Sequence, residues 1–151
     1  MLIHPVTKEE RLQSAQLLTI ESGDLTISAA DDAIHCDYTL QIGAEGTDGP
    51  AISITDCDEG LEAAALHVAS GDIRIRASDD CLNAANSDLS GFDFSMDISG
   101  GTISAYTTDG DGFDSNGSMT ISGGTPPEKP DGGTPPERLD NASEPPEPGN
   151  L

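Results

Sequence analysis

The chain has 151 residues, enough for one domain, and its 28 acidic and 6 basic residues give a formal net charge of −22. Nucleic-acid phosphates and anionic membranes would repel so acidic a chain, which excludes both as expected partners and favours a cation. With two tyrosines, three phenylalanines and no tryptophan, the composition argues against a thick globular core and fits a narrow one.

Residues 1–22 are predicted to form an N-terminal cap or remnant. The segment Thr7-Lys-Glu-Glu10 has the spacing of a capping box, which predicts a short helix ending at Leu17 or Leu18. The apolar stretch of a signal peptide is missing, so the protein is expected to be either cytosolic or part of a longer secreted precursor. No run is apolar and long enough to span a membrane, and we expect no membrane insertion.

Residues 23–124 repeat one unit, a short strand followed by an acidic corner. In each unit an isoleucine is followed by three spacers, an aspartate, a second acid, a small residue and an aliphatic residue. The leading residues lie 27, 21 and 28 residues apart, and the fourth unit carries a three-residue insertion; they are Ile27, Ile54, Ile75 and Ile103. Such a period is typical of a solenoid. Strands that recur once per turn predict a short all-β parallel β-helix.

Alternate side chains of each strand should point to opposite faces. The aliphatic residues of the four strands are therefore expected inside, and serine and threonine outside. Arg74 and Arg76 alternate with Ile73 and Ile75, so both guanidinium groups should emerge on one outer face. The cysteines fall largely at small-residue positions, and we expect them to be small buried residues rather than a disulfide framework.

Stacking in register would place the paired acids of successive corners in two columns. One contains Asp32, Glu59 and Asp80, and the other contains Asp31, Asp58 and Asp79. Turns about 4.8 Å apart would make neighbouring carboxylates repel by roughly 3 kcal/mol at an effective dielectric near 20. Raised pKa values, nearby cations or a bound metal would relieve this repulsion.

Calcium is the expected remedy, because the repeats offer only two cationic side chains, Arg74 and Arg76, and calcium takes six to eight oxygen ligands. The alternative is that each aspartate closes its turn by bonding its own backbone, which explains the pairing of acids poorly. The segment Asp109-Gly-Asp-Gly-Phe-Asp-Ser-Asn116 is the densest acidic site, and Asp109, Asp111 and Asp114 complete the expected calcium ligands. It is not an EF-hand, because Phe113 stands at the third acidic position.

Residues 125–151 are predicted to form a disordered tail. Eight of the ten prolines lie there, and Thr125-Pro-Pro-Glu is repeated as Thr134-Pro-Pro-Glu. This composition favours an extended linker or stalk over a packed segment.

Four phrases of the repeats resemble one family. They are Gly23-Asp-Leu-Thr-Ile27, Asp31-Asp-Ala-Ile-His35, Asp79-Asp-Cys-Leu-Asn83 and Asp109-Gly-Asp-Gly-Phe-Asp-Ser-Asn116. They are similar to the extracellular carbohydrate-binding β-helix domains of bacteria, whose fold is similar to that of family nine polysaccharide lyases. The resemblance covers residues 23–124. It implies a right-handed parallel β-helix, calcium at the Asp-rich corners, an extracellular or cell-surface location, and binding of plant-wall polysaccharide such as pectin.

The leading hypothesis is a calcium-dependent carbohydrate-binding module for an acidic polysaccharide, in which calcium bridges two acidic partners. Arg74 and Arg76 would clamp uronate carboxylates; alternatively, they pair with Asp24 or Asp72. Tyr38 and Tyr106 either stack on a sugar or pack in the core or at its rim.

Two other function classes remain open. A polysaccharide lyase acting by β-elimination would need a base, and arginine releases its proton reluctantly, which leaves His35 and His67. His35 shares its column with Glu62, Asn83 and Asp114, which indicates a generic solvent-facing position, so binding is expected rather than catalysis. A structural or adhesive surface protein, with the tail as its stalk, predicts no retention of glycans.

Overall fold

The computed structural model describes residues 12–14 and 16–125. These residues form twelve strands and no helix, and every strand pairing between them is parallel. The result is a parallel β-helix of about four turns, so the predicted fold class is confirmed. The strands are β1 (Leu12–Ser14), β2 (Leu17–Ile20), β3 (Asp24–Ser28), β4 (Ile34–Ile42), β5 (Ala51–Asp56), β6 (Leu61–Val68), β7 (Asp72–Ala77), β8 (Leu82–Ala84), β9 (Ser95–Ile98), β10 (Thr102–Thr107), β11 (Phe113–Ser115) and β12 (Ser118–Ile121).

Two sheets share these strands. Sheet A has four strands in the order β10-β7-β5-β3, and sheet B has eight. The shorter strands of sheet B form two rows beside the long strands β4 and β6, with β1, β8 and β11 in the first row and β2, β9 and β12 in the second. Of these, β11 pairs with β8 and β12 with β9. The register between β4 and β6 shifts between Cys36 and Thr39, which separates the two rows. Each turn therefore runs from sheet A through an acidic corner into the two rows of sheet B.

The core is a stack of aliphatic side chains, as the alternation predicted. In β7, Ile73 and Ile75 are buried whereas Arg74 and Arg76 are exposed. Ile73 pairs with Ile52 of the turn before, so like side chains contact one another along the stack. Full burial of an Ile or Leu side chain contributes about 1.5–3 kcal/mol, which explains how a chain with few aromatics folds.

The three cysteines Cys36, Cys57 and Cys81 are buried free thiols, so the prediction that they are small buried residues is confirmed. Burial and nearby charges raise the pKa of Cys57 to about 12. Its thiol donates to the carbonyl oxygen of Arg76 at 3.4 Å. All three thiols are enclosed in the core between turns.

The prediction of a helix in the N-terminal segment is wrong for those of its residues that the structure describes. Residues 12–14 and 17–20 form β1 and β2, and both pair with β4 in parallel. The edge of β4 offers backbone donors and acceptors, which parallel strands satisfy better than a helix lying across them. Part of the predicted cap thus belongs to the β-helix, and residues 1–11 lie outside the described range, as does the predicted tail beyond residue 125.

The fourth turn differs from its predicted register. Ile103 pairs with Ile73, and Ala105 pairs with Ile75, so Ala105 occupies the leading position that was assigned to Ile103. Phe113 pairs with Leu82, which leaves one extra residue in the fourth corner instead of three. A smaller insertion keeps the ladder of β10 continuous over six residues, and this favours the observed register.

None of the described residues forms a helix that is long and apolar enough to cross a membrane.

Candidate functional site

The acidic corners stack through their backbones. The amide of Asp58 donates to the carbonyl of Asp31 at 3.1 Å, and the amide of Asp79 donates to the carbonyl of Asp58 at 3.0 Å. The predicted column of Asp31, Asp58 and Asp79 is therefore present in the backbone. In the neighbouring column, the carbonyls of Glu59, Asp80 and Asp111 each accept an amide of the turn before, at 2.8, 3.0 and 2.9 Å.

His35 lies among the acidic residues of these stacked corners. It is not the solvent-facing residue that its column indicated. Its side chain is 16% exposed, and its Nδ1 lies 2.7 Å from Oε1 of Glu62 and 3.2 Å from Oδ2 of Asp32. On the other side of the ring, Nε2 lies 2.9 Å from Oδ1 of Asp37. Because a carboxylate only accepts hydrogen bonds, Nε2 carries a proton and donates it to Asp37.

The three carboxylates make His35 a cation. The contacts with Asp32 and Glu62 raise its pKa to about 11, even though burial acts in the opposite direction. Burial alone would raise the pKa of Glu62, but the contacts with His35 and with Glu59 lower it. The expectation that Arg74 and Arg76 are the only cations of the repeats is therefore wrong, since an imidazolium relieves the repulsion at this corner.

Glu59 relieves the same repulsion by staying protonated. Burial and the neighbouring Glu62 raise its pKa to about 8, although a hydrogen bond from Asn83 opposes this. That bond joins Nδ2 of Asn83 to Oε2 of Glu59 at 3.2 Å. Two of the three remedies expected from the sequence, a raised pKa and a nearby cation, thus operate where the first corner, with Asp32, stacks on the second, with Glu59.

The third corner uses a carboxylate to hold the backbone of the fourth. The amide of Asp111 donates to Oδ1 of Asp80 at 2.8 Å. Burial raises the pKa of Asp80, the bond from Asp111 lowers it, and the charges of Asp79 and Asp114 raise it further. Asp80 therefore does bond a backbone amide, but that amide belongs to the adjacent turn and not, as the alternative predicted, to its own turn.

Only one group of three metal-ligating side chains comes together in the part of the chain that the structure describes. The ligand atoms of Asp32, His35 and Glu62 all lie within 4.8 Å of one another. Of the predicted calcium ligands this group contains one, Asp32, and its other two members were not predicted. The remaining predicted ligands form no such group there; they are Asp31, Asp58, Glu59, Asp79, Asp80, Asp109, Asp111 and Asp114.

On the outer face of sheet A the two arginines have different partners. Nη2 and Nε of Arg74 lie 3.3 and 3.4 Å from the two carboxylate oxygens of Asp72. The pairing with Asp72 that the sequence left open is therefore confirmed for Arg74. Because both side chains are largely exposed, this bridge contributes at most about 1 kcal/mol to stability.

Arg76 instead lies over an aromatic ring. Its Cζ is 4.6 Å from the ring centroid of Tyr106, and Tyr106 remains 53% exposed. The two side chains border a shallow groove of about 110 Å³, which we call the Tyr106 groove. The alternative that Tyr106 packs in the core is therefore wrong. The groove is lined by Thr55, Asp56, Arg76, Ala77, Ser78, Tyr106 and Thr108.

Comparisons with protein-family models, curated proteins and solved structures found no match. The resemblance to carbohydrate-binding β-helix domains therefore stays a prediction, and any functional conclusion depends on the chemistry of the two sites.

The group that contains His35 and the Tyr106 groove lie on different sheets, and this limits the chemistry that they can perform together. His35 and His67 belong to β4 and β6 of sheet B, whereas Arg74 and Arg76 belong to β7 of sheet A. A β-elimination lyase would need a base beside the cationic group that binds the uronate. Neither of these histidines lies in the sheet that carries Arg76 and Tyr106.

Proposed function

We propose that the protein is a carbohydrate-binding module that holds an acidic, pectin-like polysaccharide on the outer face of sheet A. The observation that carries this proposal is the exposed ring of Tyr106 beside the guanidinium of Arg76 in a groove lined mainly by polar side chains. An aromatic ring offers an apolar face to a sugar ring, and a guanidinium binds a carboxylate through two parallel hydrogen bonds. A uronate residue carries both features.

The size of the Tyr106 groove supports binding rather than catalysis. Its volume of about 110 Å³ is well below the roughly 300–1,000 Å³ of pockets that enclose small ligands. A groove this shallow would contact part of one saccharide and leave the polymer free to continue on both sides. Affinity would then come from several weak contacts along the chain.

The net charge of −22 requires that an acidic polymer be held by local cations. Arg76 supplies one, and we propose calcium at the fourth corner as the second. Ser78 and Thr108 line the groove and directly precede Asp79 and Asp109, so the corner adjoins the groove. A calcium ion there would bridge a protein carboxylate and a uronate. Calcium sites of extracellular modules bind at about 10⁻⁴–10⁻³ M, and we propose an extracellular or cell-surface location accordingly.

The proposed contact residues predict a selective loss of binding. Arg76→Gln and Tyr106→Ala should each weaken binding to polygalacturonate about tenfold, which corresponds to about 1.4 kcal/mol, because each removes one of the two contacts. Arg74→Gln is the matched control, since that guanidinium lies on the same face but pairs with Asp72. Affinity electrophoresis in gels containing polygalacturonate measures all three. Equal retention of Tyr106→Ala and the parent would contradict the proposal.

Calcium should raise the melting temperature. A ligand at one hundred times its dissociation constant stabilises the folded state by about 2.7 kcal/mol, or roughly 10 °C for a domain of this size. Asp111→Asn should reduce the shift, and Asp88→Asn, which changes an exposed acid outside the corners, should leave it intact. A melting curve that neither excess calcium nor a chelator alters would contradict the calcium part of the proposal. The proposed contact by Arg76 is tested separately by the affinity electrophoresis.

A further inference from the structure

We propose that Asp32, His35 and Glu62 form a binding site for a divalent first-row transition ion such as Zn²⁺. This site is separate from the Tyr106 groove and from the calcium proposed at the fourth corner. Its three ligand atoms already lie within 4.8 Å of one another. Asp32 and His35 belong to one turn and Glu62 to the next, so a bound ion would join two turns of the β-helix.

The distances within the group suit ligands of one small ion. Zinc binds nitrogen and carboxylate oxygen at about 2.0–2.2 Å. Two ligands of one such ion lie about 2.9–3.4 Å apart, depending on whether the coordination is octahedral or tetrahedral. Nδ1 of His35 is 3.2 Å from Oδ2 of Asp32 and 2.7 Å from Oε1 of Glu62. Small movements of the carboxylates would place both oxygens at ligand distance.

Nδ1 of His35 also lacks a hydrogen-bond partner. The atom is inaccessible to solvent, and despite the short distances neither carboxylate oxygen forms a hydrogen bond with it. Both oxygens are close enough to Nδ1 to bind the same ion once it has replaced the proton on that nitrogen.

The far side of the ring has the arrangement that supports a metal-binding histidine. Nε2 lies 2.9 Å from Oδ1 of Asp37 and donates its proton there. That hydrogen bond fixes the ring with Nδ1 facing the two carboxylates, and a bound ion would replace the proton that Nδ1 carries in the metal-free protein. Such outer partners are typical of histidine ligands. The amide of Asn86 reaches the carbonyl of Asp37 at 2.9 Å and holds this residue in turn.

The ligand set separates this site from the calcium corner. Calcium takes oxygen ligands, whereas an imidazole nitrogen favours zinc, cobalt, nickel or copper. Three protein ligands leave a further coordination position open. The side chains of Asp32, His35 and Glu62 are 16%, 16% and 17% exposed, so water can reach that position.

Zinc binding to the full-length protein, stripped of metal by a chelator, tests the proposal. Calorimetric titration with Zn²⁺ should show one site that excess calcium does not displace. His35→Gln should weaken it at least about 100-fold, and Asp37→Asn about tenfold, since outer-partner changes typically cost 10–100-fold. Asp79→Asn is the matched control from another corner and should leave zinc affinity unchanged.

Imidazole nitrogen signals of the unmodified protein give a readout that needs no variant. Zinc should shift the Nδ1 signal of His35 and leave the signals of His4 and His67 in place. Zinc affinity that is equal in the parent and in His35→Gln, or an unmoved His35 signal at saturating zinc, would overturn the site. Neither outcome depends on glycan binding, so the failure of one proposal is distinguishable from the failure of the other.

Discussion

Replacing His35 by glutamine is expected to lower the free energy of unfolding of the metal-free protein by about 3 kcal/mol at pH 6.5. Removing one partner of a buried charge group costs about 3–5 kcal/mol, because the remaining charges lose their compensation, and partial exposure places this site at the lower end. Glutamine keeps much of the volume but removes the cation that Asp32, Asp37 and Glu62 surround. Urea unfolding followed by circular dichroism measures the difference.

The pH dependence distinguishes charge from packing in this variant. A pKa raised from 6.5 to about 11 means that the folded state keeps its proton longer than the unfolded state does. The stabilisation is therefore complete below pH 6.5 and is lost as the pH rises towards 11. The penalty of His35→Gln should thus shrink by about 2 kcal/mol between pH 6.5 and pH 9. Glu59 acts in the same direction in both proteins, because ionising it in the folded state costs stability between pH 4.5 and about 8.

His67 provides the control for the histidine prediction. Its side chain is 37% exposed, and its Nδ1 lies 3.9 Å from Asp97. His67→Gln should change the free energy of unfolding by no more than about 0.5 kcal/mol, as is usual for surface substitutions. A penalty for His35→Gln that equals the one for His67→Gln, or that stays constant with pH, would contradict the role of His35 as the cation of the corner.

Replacing Gly60 by alanine is expected to destabilise the fold by about 3 kcal/mol or more. A Cβ atom at Gly60 would lie 2.6 Å from Cγ2 of Ile75 and closer still to the backbone carbonyl oxygen of Cys81. Neither neighbour can move without opening the stack, and overpacking of a tight core costs about 1–3 kcal/mol or more. Thermal unfolding should show the loss as a fall in melting temperature of roughly 10 °C.

Gly112 is the matched control for Gly60, because it occupies the same position of the repeat two turns later. A Cβ atom there would meet only Cβ of Ala105, at 3.7 Å, which is ordinary contact. Gly112→Ala should therefore change stability by less than about 0.5 kcal/mol. Equal effects of the two substitutions would show that the turns are not packed as the structure has them.

The fold was predictable because one feature, the spacing of the leading isoleucines, carries both the strand pattern and the length of a turn. The error at the fourth turn came from choosing Ile103 as the leading residue on its apolar character alone. Counting back four residues from Asp109, as from Asp31 to Ile27, would have selected Ala105 and placed Tyr106 beside Arg76. The groove was therefore missed through a register error of two residues.

The His35 group was harder to predict, because it depends on where side chains point and not only on which column they occupy. The sequence placed His35 next to Glu62 in the adjacent turn, and this neighbour relation is correct. Burial decides the rest, since a histidine at an exposed position would not collect three carboxylates. Alternation in a strand distinguishes side chains that point into the core from those that point outward. It does not show that an outward side chain at a corner is half-buried by the acidic side chains of the adjacent turns.

The central claim, that the outer face of sheet A binds an acidic polysaccharide, is tested most directly by calorimetric titration of the protein with polygalacturonate in millimolar calcium. Xylan serves as the neutral polymer, and ultraviolet absorbance of the same mixtures detects unsaturated products. The account predicts binding of polygalacturonate, little binding of xylan and no increase in absorbance. Absence of heat with polygalacturonate, or equal binding of both polymers, would contradict it, and rising absorbance would show a lyase instead.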